Sequence, residues 1–186
     1  TDSTATGNTA YGFNALDAIT SGDGNVAIGY SAGGGLQSGG YNVLIGQYTG
    51  DALTTGASNT AIGNFALSAE DAHGYNVAIG ANALAVQNAG ADAYNVAVGY
   101  NAGTAVTTGI NNTLVGGLAG AAIIGANKNT AVGYSALTSN TIGNNNVAIG
   151  NSAMATNVAA DRNVAIGVNA LTAMTAASTL DTNNVA

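Results

Sequence analysis

The sequence predicts an all-β fold, a parallel β-solenoid of about ten 17-residue coils, and three observations predict it. A five-residue unit, Asn-[Thr/Val]-[Ala/Leu]-[Ile/Val/Tyr]-Gly, starts at Asn8, Asn25, Asn42, Asn59, Asn76, Asn95, Asn112, Asn129, Asn146 and Asn163, with a partial copy at Asn184. Eight of the nine steps between complete copies are 17 residues, and the step from Asn76 to Asn95 is 19. Three residues after each Gly stands a small landmark, Ala15, Ala32, Ala66 and their equivalents to Ala170, replaced by Thr49 in one coil. Residues 1–186 therefore read as one repeat domain within a longer protein.

Each position of the unit has a physical role. The opening residue, as at Asn25, Asn76 and Asn146, tolerates left-handed backbone and hydrogen-bonds its neighbours. Stacked coil on coil, such asparagines predict a ladder. The second and fourth residues, as in Val26 and Ile28, share one face of a strand and are mostly β-branched, which suits strands. The residue between them, such as Ala27, is always apolar, so the strand is expected to be buried on both faces. Ile28, Ile79 and Ile149 belong to a column expected to form one continuous stack. The closing residue, as at Gly29, Gly80 and Gly150, marks a turn needing positive φ or close backbone approach. A helical repeat is disfavoured by Gly every 17 residues and a β-branched pair in each unit. Disorder is disfavoured by Val and Ile held in register.

The residue after the landmark is large in Leu16, Leu67, Leu84, Leu137, Met154 and Leu171, but Gly in Gly33, Gly50, Gly103 and Gly120. Every Gly case has a large apolar residue three positions later: Leu36, Leu53, Val106 and Ile123. This predicts one core slot filled along two alternative backbone routes.

Composition excludes several functions. The 186 residues carry two cations, Lys128 and Arg162, against nine acids, too few to neutralise a run of phosphates or to hold an anionic membrane. No apolar run is long enough for a transmembrane helix, and there is no cysteine for disulfides or thiolate metal sites. His73 is the lone histidine, in a variable loop with Glu70 and Asp71, and reads as a solvated loop residue. No catalytic, cofactor-binding or metal-ligating set is expected; the nine-residue Gly/Asp period of calcium rolls is missing. Of the eight tyrosines Tyr11 lies inside a unit and the others flank one within two residues, and they read as edge packing or as platforms for sugar rings. Nearly all charge lies between landmark and next Asn, so recognition is expected at that variable edge. The inserted loops, 85–94 and 172–183, are the first candidates for contact, with Gln87, Asp92, Tyr94, Thr175 and Asp181 upon them.

Units such as NVAIGYSA, NTAVGYSAL and NVAIGNSAM resemble the head repeats of trimeric autotransporter adhesins (the YadA-like heads) and the similar repeats of bacteriophage tail fibres. The resemblance spans Asn8 to Ala186, although the adhesin repeats are commonly shorter. It implies a left-handed coil, a homotrimer and exposure on a cell surface or virion. The expectation is a non-enzymatic extracellular fibre segment whose partners are its own copies, further fibre segments and a host surface glycan or protein. The alternative is a solenoid with a flat functional face, such as an ice-binding protein.

Overall fold

The computed structural model describes residues 4–172 and 183–186. It contains ten three-residue strands: β1 (Thr9–Tyr11), β2 (Val26–Ile28), β3 (Val43–Ile45), β4 (Thr60–Ile62), β5 (Val77–Ile79), β6 (Val96–Val98), β7 (Thr113–Val115), β8 (Thr130–Val132), β9 (Val147–Ile149) and β10 (Val164–Ile166). They form one parallel sheet in sequence order, each pairing with the next at the same position of the unit. Val185 continues the pairing by a bridge to Val164. No helix occurs among the described residues. The predicted parallel solenoid is the observed fold.

The asparagine ladder runs the full length. The backbone N–H of Asn25 donates to Asn8 Oδ1 at 2.7 Å, and the same bond recurs at every step to Asn184, which donates to Asn163 Oδ1 at 3.1 Å. Most of these side chains also donate from Nδ2 to a carbonyl 14 residues on, as Asn25 does to Gly39. Asn25 through Asn163 are buried, and this network leaves their amides satisfied. Gly29 confirms both reasons for a closing glycine: φ is +137°, and an added Cβ would lie 2.4 Å from the Gly46 carbonyl oxygen.

The two strand faces differ from expectation. The central residues Ala27, Leu44, Ala61, Ala78, Ala97, Leu114, Ala131, Ala148 and Ala165 are fully buried. The β-branched residues beside them face outward and are half-buried or exposed. The Ile28 column is a continuous stack, with Ile28 opposite Ile45 and Ile45 opposite Ile62, but it stacks on the outside. The cause is volume. Leu16, Leu67, Leu84, Leu137 and Met154 fill the interior from across the coil, leaving room for a methyl group on the strand.

The glycine coils obey the same rule in reverse. A Cβ on Gly33 would lie 2.7 Å from Leu44 Cδ1, and one on Gly50 2.8 Å from Leu44 Cδ2. Leu114 stands in the same relation to Gly103 and Gly120, at 2.7 Å from each. One strand leucine thus fills the space left by two glycines. The idea of two backbone routes is corrected: φ is +57° at Gly33 and +52° at Leu16, the same left-handed conformation. Leu36, Leu53, Val106 and Ile123 are fully buried as predicted, but the equivalents Glu70, Gln87, Asn140 and Asn157 are fully buried too. The slot exists in every such coil, and what varies is its chemistry.

Candidate functional site

An apolar face open to solvent runs along the outside of the sheet. Two columns line it. One runs Val26, Val43, Thr60, Val77, Val96, Thr113, Thr130, Val147 and Val164; the other runs from Ile28 to Ile166. Rungs about 4.8 Å apart give the face a length near 45 Å and a breadth of roughly 10 Å. Ile28, Ile149 and Ile166 are exposed by 37%, 38% and 61%.

Aromatic rings border this face. Phe13 stacks on Tyr30 at 5.5 Å between centroids, Tyr30 meets Tyr48 edge-on at 5.3 Å, and Tyr48 stacks on Phe65 at 5.1 Å. On the other border Tyr75 stacks on Tyr94 at 5.1 Å. Four of the eight tyrosines thus pack against a neighbouring ring along the rod, whereas Tyr11, Tyr41, Tyr100 and Tyr134 are exposed and meet no other ring among the described residues. Desolvation holds the Tyr48 phenol above its ordinary pKa, with Tyr30 and Asp51 adding to the effect.

The first inserted loop protrudes as expected: a Cβ on Gly90 would meet nothing within 4 Å, and residues 90–92 are exposed. Its expected contact residues divide. Gln87 is fully buried and offers no contact surface: Nε2 donates to Glu70 Oε2, and Oε1 accepts from Asn95 Nδ2. Asp92 is exposed, yet its Oδ1 accepts the Gly74 N–H at 3.0 Å, closing the enlarged coil. Tyr94 is exposed and stacked. Thr175 and Asp181 lie outside the described residues.

Glu70, expected on the solvated edge, is the fully buried partner of Gln87 and of His73, whose Nδ1 lies 3.2 Å from Oε1. Glu70, Asp71 and His73 bring ligand-type atoms within 4.8 Å of one another, but both Glu70 oxygens already serve this internal network. Asn140 and Asn157 close their own loops, each accepting a backbone N–H three residues on at 3.0 Å. Asp51 is the unsatisfied exception: its Oδ1 is buried without a partner, and desolvation raises the carboxyl pKa.

Sequence reasoning missed a second ladder, two residues before the asparagines. Ile110 N–H donates to Asn127 Oδ1 at 2.8 Å, Asn127 N–H to Asn144 Oδ1 at 2.8 Å, and Asn144 N–H to Asp161 Oδ1 at 2.5 Å. The signal was present as side-chain acceptors spaced by 17 at 127, 144 and 161. An open groove of about 330 Å³ lies against it, lined by Ile110, Asn127, Lys128, Asn144, Asn145 and Asp161. No helix among the described residues is long and apolar enough to cross a membrane. Comparison with family models, curated proteins and solved structures finds no match for this chain.

Proposed function

We propose that this chain is a non-enzymatic structural segment of an extracellular attachment fibre, on a cell surface or a virion. In this reading three copies pack their outer sheet faces together around the fibre axis. The observation that carries it is the bare apolar face of a parallel sheet, continuous through every described coil. Parallel sheets occur almost entirely with both faces covered. The patch covers roughly 400–500 Å² before the bordering rings are counted, within the range of the largest apolar patch on a monomer, which is often functional. Asp51 apart, the buried polar groups of the coils find partners within the chain, so the outer face is where association has most to gain. The resemblance of the repeat units to trimeric adhesin heads and tail-fibre repeats supports the same arrangement and a left-handed coil.

The alternative, a flat face that orders ice, wants hydroxyls in register; the outer column has Thr9, Thr60, Thr113 and Thr130 scattered among valines. The mass of the chain in solution tests the proposal. A species of three times the chain mass is expected, and Ile28→Glu with Ile149→Glu should abolish it. A stable monomer of the unaltered chain at micromolar concentration would sink the reading.

A further inference from the structure

Each rung of the outer face has two borders. One is the residue just before the ladder asparagine; the other is the first or second residue after the closing glycine. At two rungs a ring on one border stands across from a small residue on the other: Phe65 from Ser58, and Tyr75 from Ala81. At two further rungs both borders are large and chemically matched. Tyr94 stands across from Tyr100, and Lys128 from Tyr134. Tyr94, Tyr100 and Tyr134 are exposed by 52%, 61% and 57%, and Lys128 is exposed too. Among the described residues Tyr100 and Tyr134 meet no other ring, and Lys128 forms no ion pair. Tyr41 differs, because its ring lies over Gly24 of its own chain, 2.9 Å from where a Cβ there would stand.

We propose that the two borders dock on each other between neighbouring copies, Tyr100 of one copy on Tyr94 of the next and Tyr134 of one copy over Lys128 of the next. The inference rests on the three-copy reading and names the side chains that would close it. Identical faces turned toward a three-fold axis bring unlike borders together, since every contact joins one edge of a copy to the opposite edge of its neighbour. A pure rotation about the rod axis keeps height, so each rung meets its own equivalent. The matched pairs are then the contacts that symmetry dictates. Two tyrosine rings pack offset or edge to face, and an ammonium group is held over the face of a tyrosine ring. A border that docked on a saccharide would need no match with the border across the strand.

The test uses cysteine pairs in the full chain, which has no cysteine of its own. Tyr94→Cys with Tyr100→Cys, and separately Lys128→Cys with Tyr134→Cys, are treated with a short bifunctional thiol reagent and run on a denaturing gel. Within a chain the members of each pair sit on opposite borders of the sheet, so only a neighbouring copy brings them together. Both pairs should give a covalent species of three times the chain mass, and each single variant should stay at one chain mass. Tyr94→Cys with Tyr134→Cys, two coils and roughly 10 Å out of register, should also stay at one chain mass. Residues 94 and 128 accept the change, since Ser58 holds the same position with φ of +58°, against +52° and +57°. Linkage in a single variant would mean that like borders meet, and linkage in the off-rung pair would break the register. Either result, or a matched pair that stays unlinked, would overturn the pairing. If the unaltered chain still shows three times its own mass, the pairing fails alone; if it is a monomer, the fibre reading fails with it.

Discussion

Asn146 shows what a single ladder residue does. Its N–H donates to Asn129 Oδ1, its Nδ2 to Asn129 Oδ1 and the Ala160 carbonyl, and its own Oδ1 accepts from Asn163. Asn146→Ala strands the buried Asn163 N–H and takes from the Ala160 carbonyl one of its two donors, the other being Asn157 Nδ2. One buried unsatisfied group costs about 1–3 kcal/mol and a lost hydrogen bond about 1 kcal/mol more, so thermal unfolding should show a loss of roughly 2–4 kcal/mol. Asp51 presents the opposite case. Its carboxyl pKa is raised by desolvation, so ionisation costs more in the folded than in the unfolded chain. The stability this contributes is present below the unfolded pKa and lost as pH rises through the folded one. Asp51→Asn should therefore melt higher than the parent chain near pH 7, and the gap should shrink as pH falls through the carboxylate range. A gap independent of pH would remove Asp51 from the account. At this scale the ladder was legible in the sequence, because Asn recurs in register. The buried state of Glu70 and Gln87 was not, because a polar residue in a variable stretch reads as solvated until its partner in the next coil is placed.

At the scale of the coil, the strand and the wall across from it share one fixed interior volume. Leu44→Ala should cost about 2–5 kcal/mol as a core cavity. Adding Gly33→Leu and Gly50→Leu should recover part of that loss, because Ala61 with Leu67 and Ala78 with Leu84 already use the exchanged arrangement. Either glycine change alone, with Leu44 kept, should destabilise, since each new Cβ falls within 3 Å of a Leu44 methyl. Additive effects in denaturant unfolding would refute the coupling. This coupling also explains why the strand faces were misread. Val, Ala and Ile are all apolar, so polarity could not say which way the strand points. Size could have: the strand centre enlarges only at Leu44 and Leu114, and those coils, each with the coil before it, carry the glycine pairs 33/50 and 103/120. Fold class and coil period were legible because both rest on spacing; inside and outside rest on complementary volumes.

For the whole molecule, the outer face sets the expectation of assembly, with the acidic replacements at Ile28 and Ile149 as its probe. The ladder has another consequence. Every rung bond joins one coil to the next, and none spans two coils. A rod pulled by its two ends thus carries the load through its coils in series, and its tensile strength is that of its weakest junction. Rupture should proceed coil by coil, each event releasing about 17 residues and roughly 50 Å of extra contour length. Single-molecule stretching of one chain should record evenly spaced force peaks, with two wider intervals, one for the 19-residue step from Asn76 to Asn95 and one for the 21-residue step from Asn163 to Asn184. A single cooperative rupture would mean that the coils share tension sideways, and a filament built that way would snap where this one yields by stages.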